Sequence, residues 1–111
     1  MTAKETFGEH IKKLREEYKL PLRKVASVLD IDPSTLSKIE RGERIANRDM
    51  LPLLAGLFNE NEKTLSLIFF SDRVAYQLIK EDNPNEILKV AEEKIQYLKK
   101  KNVKQGTLNL K

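Results

Sequence analysis

One short segment near the middle of the chain constrains its fold more than any other. Two short stretches with helical apolar spacing are separated only by the residues Asp30-Ile31-Asp32. Pro33 follows and favours the first position of a helix, with the preceding Asp as its N-cap. Gly42 favours the left-handed conformation that ends a helix. The segment therefore predicts two short helices joined by a tight turn, the second covering about residues 33–41.

The second of these helices is predicted to bury Leu36 and Ile39 and to carry a polar face. Its outward residues are small hydroxyls and long cations, namely Ser34, Thr35, Ser37, Lys38 and Arg41. A helix fits the major groove of B-DNA, and such side chains reach base edges and phosphates. An ordinary solvated helix face is the alternative, and the spacing alone favours neither interpretation.

The composition indicates a soluble, folded protein. The chain has 111 residues, of which 40% are hydrophobic and 34% charged, and its net charge is +4. This length fits one compact domain with a short appendage. The basic charge is compatible with nucleic acid without demonstrating it. The chain contains no cysteine, which excludes disulfides and thiolate metal sites.

The same composition argues against an enzyme. His10 is the only histidine, and we expect it to be a solvated surface residue. One histidine supplies neither a catalytic triad nor a metal site, so we predict no catalytic residues, no metal and no cofactor. No apolar run approaches 18 residues and no apolar signal segment is evident. We therefore expect a cytoplasmic protein without membrane contact.

The first half of the chain predicts four helices. Helix 1 is predicted from about Thr6 to Tyr18, with a capping box formed by Thr6 and Glu9. The second helix begins at Pro21, and Asp30 is expected in a left-handed conformation in the turn that follows it. The fourth begins after Asn47, its expected cap.

The second half predicts shorter helices and a polar end. Helices are expected at about 62–69, 71–79 and 86–101, and a flexible tail over residues 102–111. We divide the chain into a DNA-binding domain at 1–70, a helical extension at 71–101 that we expect to dimerise, and that tail. The predicted fold class is all-α.

Residues 7–58 resemble the Cro- and phage-repressor-type helix-turn-helix, the XRE family. The resemblance is carried mainly by Val25-Ala26, by Leu29-Asp-Ile-Asp-Pro-Ser-Thr-Leu36 and by Ser37-Lys-Ile-Glu-Arg-Gly-Glu-Arg44. It implies a five-helix domain, here followed by a C-terminal helical extension, that binds double-stranded DNA as a homodimer with its third helix in the major groove. The chain departs from the family at Leu22, where a phosphate-contacting Gln is common, and at Asp30, where Gly is common.

The resemblance also implies roles for individual residues. Base reading falls to Ser34, Thr35 and Lys38. Contacts to the DNA backbone are expected from Arg23, Lys24, Ser37, Arg41, Arg44 and Arg48. In the family, the positions of Arg15 and Glu40 pair across helices 1 and 3, which implies a structural ion pair rather than a DNA contact.

Exposed apolar positions late in the chain predict a dimer interface. Leu88, Ala91, Ile95 and Leu98 follow the a/d spacing of a coiled coil over barely two heptads. Leu67 and Phe70 are the other predicted interface residues. A stripe that packs back on the chain's own domain is the alternative.

The sequence therefore predicts a transcriptional regulator that binds a partly palindromic operator as a homodimer. The segment Leu20-Pro-Leu-Arg-Lys-Val-Ala26, followed by a helical tail, resembles a bacterial restriction–modification controller. The family resemblance implies a bacterial or phage protein that is associated with the nucleoid. The rival interpretation is an antitoxin-type interaction module, whose C-terminal helices bind a toxin partner. A neighbouring toxin-like gene would favour the rival, whereas a neighbouring methyltransferase gene would favour the controller.

Overall fold

The computed structural model describes the backbone of residues 4–105 and the side chains as far as Lys101. Over this range the chain is all-α, as predicted, with no strand. The six helices in chain order are α1 (Phe7–Glu17), α2 (Leu22–Leu29), α3 (Pro33–Glu40), α4 (Met50–Leu57), α5 (Glu62–Leu78) and α6 (Pro84–Gln105).

Each of the first four helices is followed, within two residues of its end, by a residue in the left-handed conformation. These residues are Lys19, Asp30, Gly42 and Asn59, with φ of 55°, 57°, 77° and 50°. After α3, the amide of Gly42 donates to Ile39 O and that of Glu43 to Lys38 O, the pair of bonds that defines a Schellman motif. The predictions for Asp30 and Gly42 are confirmed. Such caps turn the chain sharply, which explains how four helices fit into about fifty residues.

The helix starts follow the sequence signals with one exception. Thr6 and Glu9 form the predicted capping box on α1. Asp32 is the N-cap of α3, with Pro33 at the first helical position, although the Asp32 side chain makes no capping hydrogen bond. The expected cap of α4 was wrong. Asn47 accepts instead from the amide of Asp49 at 2.9 Å in a preceding turn, and α4 begins only at Met50.

A single core lies among the first five helices. Its most buried large side chains are Ile11, Val25, Leu36, Leu54, Phe58 and Leu65. They come from α1 to α5 and the residue after α4, so each of these helices contributes. At the edge of the core, Tyr18 donates from its hydroxyl to Phe58 O at 2.7 Å.

The predicted break between helices at 62–69 and 71–79 is wrong, because α5 is continuous. Ser71 does not interrupt it, since its hydroxyl donates to Ile68 O, 3.0 Å away within the helix. Asp72 does not compete for the local backbone either, because its carboxylate accepts a hydrogen bond from Phe7 N. Two residues that often break helices are thus accommodated by other bonds.

The last helix is longer than predicted at both ends. Pro84 occupies its first position, which suits a residue that lacks an N–H. It continues to Gln105, so residues 102–105 are helical where a flexible tail was expected, and no helix breaker occurs before Gly106. The rest of the predicted tail, residues 106–111, lies outside the described residues.

The chain divides into two compact units after Val74, within α5. The first contains α1 to α4 and most of α5, and the second contains the end of α5 together with α6. The predicted domain limit after residue 70 stays a prediction.

Candidate nucleic-acid interface

The core holds α3 against two other helices. Leu36 and Ile39 are 1% and 5% exposed, and α3 packs on α1 and α2. Only one side of an eight-residue helix can be buried in this way, so its other side is free to meet a ligand. The orientation of that free side is fixed by the contacts of the buried one.

An ion pair joins α3 to α1. Arg15 Nε lies 2.7 Å from Glu40 Oε2, and Arg15 Nη2 donates to Glu40 Oε1 at 3.1 Å. Arg15 Nη1 also donates to the carbonyl of Leu20, in the loop before α2. The two side chains are only 13% and 4% exposed. The hydrogen bond to Glu40 is the main reason why the pKa of Arg15 is raised above its usual value. The structure thus brings these two residues together, away from the polar face of α3.

A close approach of two backbones accompanies the ion pair. Gly8 of α1 lies against the end of α3, where a Cβ built on Gly8 would come within 2.8 Å of Glu40 O. No real Cβ tolerates that distance from a backbone carbonyl. Glycine is therefore required at this crossing, a requirement that no local sequence pattern predicts.

The polar face of α3 is accessible in part. Ser34 and Lys38 are exposed, whereas Thr35 and Ser37 are half-buried. The three predicted base-reading residues therefore lie on one short helix, with at least partial access to solvent. Their hydroxyl and ammonium groups can donate hydrogen bonds to bases or phosphates.

Arg41 is occupied by a local network at the end of α3. Its Nε lies 2.8 Å from Glu43 Oε2, and its Nη1 donates to the hydroxyl of Ser37. The hydrogen bond from Arg41 lowers the pKa of Glu43 and raises that of Arg41. Both partners are exposed, so a phosphate would compete with Glu43 for this guanidinium.

The other predicted backbone contacts are spread over the first unit. Arg23, Lys24, Arg44 and Arg48 are all exposed. The first turn of α2, which holds Arg23 and Lys24, contains no acidic residue. Arg48 has its guanidinium carbon 5.2 Å from the centre of the Phe70 ring.

His10 is not the solvated residue that was expected. It is 6% exposed, with Nδ1 3.0 Å from Glu5 Oε2 and Nε2 3.5 Å from Glu60 Oε2. Because His10 lies one helical turn before Leu14 and beside Ile11, it shares the buried side of α1 with them. Its polar neighbours lie outside α1, Glu5 just before the helix and Glu60 before α5, so the spacing of residues within α1 could not reveal them.

Asp72 is a second polar residue with an unpredicted role. Its Oδ2 accepts a hydrogen bond from Phe7 N at 2.7 Å, which satisfies one of the free amides at the start of α1. Burial raises the pKa of Asp72, while the hydrogen bond from Phe7 opposes this rise. The residue joins α5 to α1 and lies apart from α3.

The predicted dimer residues are mostly exposed. Leu67 and Phe70 on α5 are 58% and 37% exposed, and Leu88 and Ile95 on α6 are 45% and 50% exposed. Ala91 is also exposed, and Leu98 is half-buried. The apolar side chains predicted on each of the two helices are therefore largely uncovered.

The comparisons with known proteins agree with this geometry. The helix-turn-helix domain family matches residues 8–67, more than half of the chain. The chain belongs to this family of helix-turn-helix domains. Its membership supports DNA as the partner and a role in transcriptional regulation. Among curated proteins and among solved structures, no significant match was found.

The described residues contain neither a candidate membrane-spanning helix nor a candidate metal-binding group. Between residues 4 and 105, no helix is both long and apolar enough to cross a membrane. In the same range, no group of three or more histidine or acidic side chains is arranged to hold a metal ion.

Proposed function

We propose that this protein is a sequence-specific transcriptional regulator of the Cro and phage-repressor type. It binds a partly palindromic operator as a homodimer, with α3 of each copy in the major groove. Ser34, Thr35 and Lys38 read bases, and the exposed arginines and lysines of the first unit contact phosphates. The observation that carries the proposal is the fixed placement of α3, with an accessible polar face and its other side locked by the core.

The rigidity of α3 supports base reading over loose attraction to DNA. Hydrogen bonds to base edges require donors and acceptors at defined positions, whereas phosphate attraction does not. The bidentate pair between Arg15 and Glu40 and the close crossing at Gly8 fix α3 relative to α1. Such a helix presents its side chains in one orientation.

The exposed apolar side chains of α5 and α6 support a homodimer. Leu67, Phe70 and Val74 are spaced by three and four residues, so they line one side of α5, and all three are exposed. A small protein rarely exposes so many large apolar groups without a partner. A second copy is the partner we propose, because a palindromic operator requires two α3 helices about one helical turn apart, roughly 34–36 Å.

Base reading is tested with a panel of single-base variants of a selected DNA site. Thr35→Ala is expected to relax discrimination at one base pair per half-site, a loss of about 1–3 kcal/mol. Ser34→Ala and Lys38→Ala are measured in parallel. Unchanged base preferences in all three variants would refute the assignment of α3.

Phosphate contact is tested by the salt dependence of binding. Arg44→Ala is expected to weaken all DNA sites about equally and to reduce the slope of log K against log salt by roughly one unit. Arg73→Ala, which removes a charge not assigned to DNA, is the control. An equal change of slope in both variants would indicate a general charge effect.

The restriction–modification controller subtype stays a prediction from resemblance. A methyltransferase gene beside the gene for this protein would support it. Sedimentation bears on the rival antitoxin interpretation. A protein that stays monomeric at tens of micromolar would contradict the proposed homodimer, and its exposed α6 would then be tested against a toxin partner.

A further inference from the structure

One contact connects the residues assigned to DNA with those assigned to the second copy. The Arg48 guanidinium carbon lies 5.2 Å from the centre of the Phe70 ring, within the range of a cation–π interaction. Arg48 lies in the segment before α4, whereas Phe70 belongs to α5. The contact therefore joins the segment before α4 to α5.

Phe70 is itself anchored by other rings. It meets Phe69 edge to face, with centroids 5.0 Å apart, and Phe69 meets Phe7 in the same way at 5.5 Å. Phe7 and Phe69 are 4% and 3% exposed and belong to the core. The partly exposed Phe70 ring is thus a supported platform, because it packs on the buried Phe69 ring, which in turn packs on Phe7.

The donors of Arg48 are available, in contrast with those of Arg41. Among the described residues, Arg48 has no carboxylate within salt-bridge distance, whereas Arg41 is paired with Glu43. A guanidinium over an aromatic ring keeps the N–H groups in its plane free for a phosphate. Stacking also restricts the side chain before it binds, which reduces the entropy lost on binding.

We propose that Phe70 is a positioning residue for DNA binding, which holds the Arg48 guanidinium ready for a DNA phosphate. The inference rests on the proposed function, and it deepens it by adding a residue that acts on DNA through another. It also means that one aromatic side chain belongs to both the predicted dimer surface and the machinery of DNA contact.

The test is a double-mutant cycle on a DNA site selected by the full-length protein. Phe70→Leu is expected to weaken binding roughly two- to tenfold more when Arg48 is present than in an Arg48→Ala background, where only a loss through the dimer surface remains. Phe70→Tyr, which keeps the ring, is expected to retain wild-type affinity. Thermal melting of each variant confirms that it is folded.

Arg73→Ala is the matched control background. The Arg73 guanidinium carbon lies 5.8 Å from the centre of the Phe69 ring, so this change also removes an arginine stacked on an aromatic ring of α5. The cost of Phe70→Leu is expected to persist in it. An equal cost of Phe70→Leu with and without Arg48 would overturn the positioning role and indicate an effect through the dimer alone. Wild-type protein that selects no DNA would overturn the proposed function as well.

Discussion

The two units of the chain differ in how many apolar side chains they bury. Every buried apolar side chain of the described residues lies between Phe7 and Phe69, in the first unit, although that unit also leaves Leu67, Phe70 and Val74 exposed. In the described part of the second unit, Leu78, Ile87 and Leu98 are half-buried, while the side chains that are 45% to 74% exposed include Ile79, Leu88, Val90, Ile95 and Tyr97. The first unit therefore has a hydrophobic core of its own, whereas most apolar side chains of the second remain in contact with solvent.

The difference separates two tasks that the proposed function requires. Base reading needs a rigid helix, and the first unit provides one through its core, its ion pair and its close crossing of helices. Pairing of two copies needs uncovered apolar side chains, and we propose that those of α6 and those on the exposed side of α5 serve this purpose.

The ion pair between α1 and α3 gives the largest expected effect in the first unit. Arg15→Ala is expected to cost about 3–5 kcal/mol of stability, because it leaves the carboxylate of Glu40 buried and unpaired. Arg41→Ala breaks the exposed pair with Glu43 and is the control, for which the melting temperature is expected to stay unchanged. A smaller salt slope for DNA binding in Arg15→Ala at an unchanged melting temperature would show that Arg15 contacts DNA.

Two helical glycines test the close crossing of α1 and α3. Gly8→Ala is expected to cost about 1–3 kcal/mol, because its Cβ would meet the carbonyl groups at the end of α3. Gly56→Ala in α4, where a Cβ would meet nothing within 4 Å, is expected to stabilise the protein by about 0.5–1 kcal/mol. Denaturant unfolding measures both. Equal effects of the two changes would contradict the close crossing.

The proposed role of the second unit in pairing two copies is tested by measuring self-association. Ile95→Ser on α6 is expected to weaken the dimer roughly tenfold or more, because each copy loses a buried apolar side chain at the interface. Gln96→Ser, at the adjacent exposed position, is the control. Sedimentation at a series of concentrations measures both dissociation constants. A dimer that is equally tight in both variants would show that α6 does not hold the copies together.

Asp72 gives the smallest expected effect, and it depends on pH. Its raised pKa favours the protonated carboxyl in the folded state, so this contribution is complete below the ordinary Asp pKa and is lost as pH rises through the raised value. Asp72→Asn keeps an oxygen for the Phe7 amide without the charge, so we expect a gain of no more than about 0.5 kcal/mol above that window and none below it. Melting temperatures of both proteins between pH 3 and 8 measure the difference. A gain confined to low pH would contradict the assigned cause.

Features of the fold that depend on local signals could be predicted from the sequence. The turn at Asp30, the start of α3 at Pro33 and its end at Gly42 each follow from the conformational preferences of one or two residues. Helix breaks were predicted less well, since a break was expected between Phe69 and Ser71, where α5 is continuous. The side chains of Ser71 and Asp72 bond to Ile68 O and to Phe7 N, and the second of these bonds comes from the tertiary fold.

The features of the candidate site likewise differ in whether the sequence could predict them. The polar face of α3 follows from helical spacing, and the pairing of Arg15 with Glu40 came from the family resemblance. Neither the requirement for Gly8 nor the stacking of Arg48 on Phe70 has a local signal, because each depends on how distant segments approach one another. The burial of His10 was missed for the same reason, since Glu60 comes from a distant loop.

Selection of bound DNA from a random pool by the full-length protein tests the central claim most directly. We expect enrichment of one short sequence that occurs twice in inverted orientation, with the two copies about 10 base pairs apart from centre to centre. That result would show base reading and pairing of two copies in one measurement. A pool without enrichment, or one enriched only in single unpaired sites, would contradict the proposed homodimeric regulator.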